Sequence, residues 1–344
     1  MRHFFFSLVF SVILFSGWLL VGADLFSEEG LLSSEGSQSA GRVSGEEVSL
    51  PIGEYPVFRE RRDVTAEFRP VRREGPGRFA VPTAHSAVLL DVATGMSLYE
   101  QDADERRAIA SITKLFTAMI VVERVDNLEE AVIIDEEIVY SEGTRVGCPR
   151  TGYCIGERLH VGERISVRNL LRAALMNSCN DAALALAKHV GGTKEGFTAI
   201  MNERAKGLGL ENSHFCTPSG LELDDPVAES GCYSSARDIA KVAAYALRYD
   251  EIWEIMRTSK TDISSVDGKY VHEIFNTNEL LGQYPNLVGT KTGFTPRAGY
   301  SLLAVAGDPE RGKHRIVAVV LDDYYRWQSI QDMFSWGFSA YEWL

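Results

Sequence analysis

Three short runs in this sequence carry side chains whose types and spacing suit acyl-transfer chemistry. The first is Ser111-Ile112-Thr113-Lys114. Residues three apart on a helix are neighbours on one face, so a helix beginning here sets an amine beside a hydroxyl. Such an amine serves as the hydroxyl's base once burial or nearby positive charge lowers its pKa. A serine near a helix N-terminus also feels the positive end of the dipole, which favours a developing oxyanion. The second run is Ser178-Cys179-Asn180, set between Leu175-Met176-Asn177 and Asp181-Ala182-Ala183 in a helical pattern. Polar groups in that setting need partners if buried. Serine can pass a proton, and asparagine both donates and accepts. The third is Lys291-Thr292-Gly293 on a strand pattern. There Lys291 and Thr292 suit a carboxylate, and Gly293 would let a substrate backbone approach as an extra strand. Taken singly, each run also reads as something ordinary: a capping serine beside a surface lysine, a helix start, an edge lysine with a bulge glycine.

The elements that must position these groups can be read from periodicity. His85–Asp91 reads as a strand, Ala93-Thr94-Gly95 as a turn, and Met96–Gln101 as the hairpin partner. From Ser111 the pattern turns helical, with Leu115, Met119 and Val122 on one face. Helical spacing returns over Val167–His189, Thr193–Leu208 and Ala236–Arg248. Strands follow at Leu287–Gly293, Tyr300–Gly307 and Arg315–Asp322, and Ser329–Trp343 reads as an aromatic-rich helix. Strands thus lie at both ends and helices between them. One sheet built from both ends predicts a single α/β catalytic domain over residues 80–344.

Residues before this domain have other characters. Arg2 and His3 precede an apolar run, Phe4–Val21, which reads as an export signal. Residues 1–23 are then a cleaved signal peptide or a retained membrane anchor, with Val21-Gly22-Ala23 suited to cleavage. Residues 24–79, rich in Ser, Glu and Gly and then in Arg, read as a disordered linker. The net charge of −13 argues against nucleic acid as a partner. Export permits disulfides. Of the 5 cysteines, Cys148/Cys154 and Cys216/Cys232 form close pairs and Cys179 is left over. No CxxC or HExxH spacing marks a metal site, and no cofactor is expected.

Each of the three runs occurs once, in the order Ser-x-x-Lys, Ser-x-Asn, Lys-Thr-Gly, the set used by penicillin-binding proteins and serine β-lactamases. The chain resembles the D-alanyl-D-alanine carboxypeptidase family of low-molecular-mass penicillin-binding proteins. The resemblance runs from about His85 onward, through AVLLDVATGMSLYEQ, ASITKLFTAMI, LLRAALMNSCNDAALALAKHVGG, MNERAKGLGLENSHFCTPSGL, NTNELL and VGTKTGFTPRAGYSLLAVA. It implies a β-lactamase/transpeptidase-like α+β fold, an antiparallel sheet flanked by helices plus an all-helical lobe. It implies roles too. Ser111 is the nucleophile, Lys114 its base, and Ser178 the relay of a proton to the leaving D-alanine. Asn180 holds the peptide carbonyl and steadies Lys114. Lys291 and Thr292 bind the substrate carboxylate, with Gly293 beside them. The N–H groups of Ser111 and Phe294 form the oxyanion hole, and Arg326 lies near the carboxylate site. The substrate is then a peptidoglycan stem peptide, β-lactams are covalent inhibitors, and the place of work is the cell envelope.

There are departures from that pattern. Cys179 stands where the family commonly has Gly, Phe294 where His or Tyr is frequent, and Ile109 where Pro is usual. Both cysteine pairs are additions. The chain ends soon after its aromatic helix, so neither a β-rich second domain nor a C-terminal amphipathic anchor is expected. A class A β-lactamase is disfavoured, because no Glu-x-x-Leu-Asn lies between the second and third runs. A D,D-endopeptidase uses the same site on cross-linked peptides and stays open. A non-catalytic wall-binding protein is disfavoured by the intact set of reactive residues.

Overall fold

A computed structural model describes residues 68–148, 153–221, 231–309 and 314–344. The apolar run 4–21 and most of the expected linker lie outside the described residues. The strands, in chain order, are β1 (Pro70–Arg72), β2 (Ala84–Asp91), β3 (Ser97–Gln101), β4 (Ala131–Ile133), β5 (Arg164–Ser166) and β6 (Lys260–Ser264). They continue as β7 (Val271–Phe275), β8 (Leu287–Thr295), β9 (Gly299–Gly307), β10 (Arg315–Asp323) and β11 (Tyr341–Trp343). The helices are α1 (Thr113–Arg124), α2 (Glu136–Val139), α3 (Val167–Met176) and α4 (Asn180–Gly191). After them come α5 (Lys194–Gly207), α6 (Ala236–Ala246), α7 (Asp250–Arg257) and α8 (Arg326–Ala340).

Both ends of the domain do build one sheet. Its order is β3-β2-β10-β9-β8, and every neighbouring pair is antiparallel. Side chains alternate across it, so each strand feeds two cores. On one side Leu302, Ala304 and Ala306 pack with Ile330, Met333 and Phe334 of α8. On the other, Leu303 and Val305 join a larger core with Phe116, Leu171 and Ala240 of the helical lobe. A fully buried Leu or Phe in either layer stabilises the fold by about 1.5–3 kcal/mol.

Helix α1 is buried over its first nine residues, Thr113 to Val121, as a helix apolar on all sides must be. Its far end is clamped to α5. There Arg204 meets Glu123 through two bonds, Nε to Oε2 at 2.9 Å and Nη2 to Oε1 at 2.8 Å, and Tyr249 donates to the same carboxylate at 2.9 Å. The helix that begins beside Ser111 is therefore fixed at both ends.

Three expectations need correction. The helical pattern over 167–189 is two helices, because Ser178 adopts φ +61, a left-handed conformation that no α-helix contains. Apolar spacing misses this break, since α3 and α4 pack into the same core. The aromatic end of the chain stops being helical at Ala340. Tyr341 and Trp343 are buried and the Glu342 between them is half-buried, a strand's period of two. That strand pairs with β1, Pro70 opposite Trp343, so residues 70–72 belong to the folded domain and not to a disordered linker.

Candidate active site

A single 3₁₀ turn, Ala110–Ile112, leads into α1 and presents Ser111 half-buried at its mouth. Ala110 has φ +48, a conformation uncommon outside glycine. Lys114 follows one turn later and is fully buried. Its Nζ lies 2.8 Å from Ser111 Oγ, 2.7 Å from Asn180 Oδ1 and 2.9 Å from the Ser219 carbonyl oxygen. The Asn180 orientation is set by its other end, where Nδ2 donates to the Glu142 carbonyl at 2.8 Å.

The chemistry of those three partners decides what Lys114 can do. An amide oxygen and a backbone carbonyl only accept, whereas a serine hydroxyl both donates and accepts. A neutral amine has two N–H bonds and one lone pair. With both N–H groups taken by Asn180 and Ser219, the lone pair faces the Ser111 hydroxyl. Burial first, and the neighbouring Lys291 charge second, hold the Lys114 amine well below its ordinary value.

Lys291 is the second buried amine. Its Nζ donates to Ser178 Oγ at 3.0 Å and to the Thr292 carbonyl at 3.2 Å. Burial, with a smaller push from the Arg326 charge, brings its pKa down to about 7. Cys179 is fully buried beside both amines, and burial pushes its thiol well up, so it stays neutral. Thr292 shares a 3.1 Å hydroxyl contact with Thr277. Arg326, at the start of α8, donates from Nη1 to the Gly293 carbonyl at 3.1 Å and the Ser301 carbonyl at 3.2 Å. Phe294 is half-buried on β8, its ring 4.4 Å from Tyr300.

The residues singled out from sequence thus gather along β8, an edge strand of the sheet, against the 3₁₀ turn. Gly293 has a packing reason as well. A Cβ there would sit 2.6 Å from the Ile109 carbonyl oxygen, so its small size lets β8 press against the turn that carries Ser111. Sequence reasoning missed the Ser219 and Glu142 carbonyls and the Thr277 hydroxyl. A backbone carbonyl has no side-chain signature. Both expected cysteine pairs are bridged, Cys148–Cys154 and Cys216–Cys232, and Cys179 is a buried free thiol. Among the described residues, no cluster of three or more His, Cys, Asp or Glu is placed to hold a metal ion.

A buried amine beside a serine hydroxyl, with a second buried amine at a strand edge, has the geometry of a candidate active-serine site on an α/β scaffold. Residues 78–324 match the D-alanyl-D-alanine carboxypeptidase family of peptidases, and the chain belongs to that family. It is 34% identical over 267 residues to D-alanyl-D-alanine carboxypeptidase DacF of Bacillus subtilis, covering 75% of this chain and 63% of the relative. It is 34% identical over 221 residues to a D-alanyl-D-alanine endopeptidase of Pseudomonas aeruginosa, covering 63% and 65%. The chain therefore spans about two thirds of the length of these relatives. Among solved structures, penicillin-binding protein D2 of Listeria monocytogenes in its ampicillin-bound form superposes with a TM-score of 0.63 at 30% identity, covering 77% of this chain and 100% of that one. A Streptomyces K15 DD-transpeptidase variant gives 0.66 at 28% identity, covering 76% and 100%.

Proposed function

We propose that this chain is a serine-type D-Ala-D-Ala carboxypeptidase that trims peptidoglycan stem peptides through an acyl-enzyme on Ser111. The observation that carries the reading is the Lys114 amine, buried, held by two acceptors and 2.8 Å from the Ser111 hydroxyl. Ser111 Oγ attacks the carbonyl carbon of the penultimate D-alanine and its proton passes to Lys114 Nζ. The N–H groups of Ser111 and Phe294 receive the oxyanion. The C–N bond then breaks as the proton on Lys114 passes through Ser178, which is bonded to Lys291, to the departing D-alanine amine, leaving Lys114 neutral again. Water attacks the ester as neutral Lys114 takes its proton, and the same proton goes to Ser111 Oγ as the acyl–oxygen bond breaks. Lys291, Thr292 and Arg326 hold the substrate carboxylate, and Asn180 holds the peptide carbonyl. β-Lactams enter by the same attack and stay as covalent esters.

The workplace is the cell envelope, outside the cytoplasm. Two disulfides fit an oxidising compartment. The run Phe4–Val21 is the membrane anchor in this reading, with the polar stretch after it as a tether. Among the described residues no helix is long and apolar enough to cross a membrane.

D,D-endopeptidase action on cross-linked peptides is the second reading, favoured by the relative of that name. Incubating the purified protein with a pentapeptide and with cross-linked muropeptides, and identifying products by mass, separates the two. Loss of one D-alanine from the pentapeptide is expected. Cleavage of cross-links with the pentapeptide untouched would favour the endopeptidase, and neither product would end the enzymatic reading.

A further inference from the structure

We infer that the two disulfides are positioning elements for the reacting groups, Cys216–Cys232 for Lys114 and Cys148–Cys154 for Asn180. The inference rests on the reading of Ser111 as nucleophile and Lys114 as its base.

Each bridge borders a segment without helix or strand that reaches the site through backbone carbonyls, the one before Cys148 and the one after Cys216. Beside Cys216 runs the stretch 217–221. Its Ser219 carbonyl accepts from Lys114 Nζ at 2.9 Å, and its Pro218 carbonyl accepts from Thr117 Oγ1 at 2.7 Å. Gly220, at φ +71, presses so close that a Cβ would collide with the Ala110 carbonyl oxygen, the residue before Ser111. On the other side of the bridge, Tyr233 exchanges backbone bonds with His214 at 2.8 and 2.9 Å. The disulfide closes this frame. Both of its cysteines line a small cavity with Ile109 and Ala110, so the bridge stands directly behind the nucleophile turn.

The second bridge does the same for Asn180. The Thr144 carbonyl accepts from the Asn180 backbone N–H at 2.6 Å, and the Glu142 carbonyl accepts from its side chain at 2.8 Å. Val146 N–H donates to Asp181 at 2.9 Å. Arg145 and Cys148 exchange two backbone bonds at 3.0 Å, and the Gly147 carbonyl accepts from Ile155 and Gly156. Cys154 then locks that crossing to Cys148.

A side chain can compensate for a small shift by changing rotamer. A carbonyl cannot, because the chain path alone places it. Loosening either path moves an acceptor of Lys114 or of Asn180, and the lone pair of Lys114 no longer has one direction left. A small misplacement of reacting groups is enough to cost a large factor in rate. A dithiol reductant supplies the chemistry for loosening. It delivers two electrons and two protons to each S–S bond, which becomes two thiols while the dithiol closes to its own disulfide.

The test is acylation by a labelled penicillin, with the rate expressed per site that finally labels. Unfolded molecules then drop out of the rate. The proteins are the wild type, Cys216→Ser/Cys232→Ser, Cys148→Ser/Cys154→Ser, and dithiol-reduced wild type. Sucrose is added to keep loosened forms compact. For Cys216→Ser/Cys232→Ser the limiting acylation rate should fall between about 10-fold and 100-fold, with half-saturation changed less than about 2-fold. For Cys148→Ser/Cys154→Ser half-saturation should rise as well, because Asn180 touches substrate. The reduced wild type should show both effects. A rate per labelled site unchanged in all three, even with fewer sites labelled, would show that the bridges only stabilise the fold and would overturn the inference. A wild type that never labels would instead remove the reading beneath it.

Discussion

Lys114 Nζ and Ser111 Oγ lie 2.8 Å apart, and the other two directions around that amine end on atoms that can only accept. The pair is therefore directional. Once the amine is neutral, its lone pair has nowhere to face but the hydroxyl. Burial and the Lys291 charge favour the neutral form, and the fixed ends of α1 keep the amine in place.

Replacing Lys114 by Arg tests this relationship. A guanidinium stays charged in proteins and has no lone pair to offer. Acylation by labelled penicillin should fall by about 10²–10⁴-fold, the range of general-base contributions. Circular dichroism should show the fold intact. Normal acylation by a folded Lys114→Arg protein would remove the base role.

The two amines should set opposite limbs of the pH profile. In the proposed mechanism Lys291 holds the substrate carboxylate while protonated, and burial brings its pKa down to about 7. As pH rises through that value the free enzyme loses the charge, so KM for a peptide should climb toward about tenfold per pH unit. Lys114 must lose its proton first, so the acid limb belongs to it. In Lys291→Arg the charge persists and the alkaline rise in KM should disappear over the same range. A rise unchanged in that variant would assign the limb to another group.

Asn180→Asp places a carboxylate where the amide oxygen now accepts from Lys114 at 2.7 Å. A negative neighbour favours the charged amine, so the Lys114 pKa should rise. The acid limb of acylation should move to higher pH with it, and the rate at neutral pH should fall. A limb that stays put, read from acylation rates across pH, would contradict the contact.

The Arg204–Glu123 pair bears on stability rather than chemistry. Side chains are 3% and 10% exposed, so removing Glu123 leaves the buried Arg204 guanidinium without its carboxylate. Glu123→Ala should cost about 3–5 kcal/mol in denaturant unfolding. A loss below about 1 kcal/mol, the scale of an exposed pair, would show that water reaches the site.

Much of this site is legible in the sequence, and the reasons differ by residue. Ser111 and Lys114 show themselves because helix geometry makes third neighbours touch. Lys291 does so because a lysine on an apolar strand needs a purpose. The Ser178 turn does not, since its left-handed conformation is carried by a serine and not by glycine or asparagine. The Ser219 and Glu142 carbonyls leave no trace, because every residue has one. Strand β1 was hidden by length: three residues amid Arg and Pro carry too little pattern to stand out from a polar stretch. The sheet itself is readable, because the apolar runs of β9 and β10 are long and continuous. Its order was not, since register depends on contacts between the two ends of the chain.

The central claim is that Ser111 becomes esterified. The most direct measurement is intact mass, followed by peptide mapping, of the protein after brief exposure to benzylpenicillin. The account predicts one added penicilloyl group, located on the peptide containing Ser111, and no addition to Ser111→Ala under the same conditions. An adduct on any other residue, or an adduct that survives in Ser111→Ala, would contradict it.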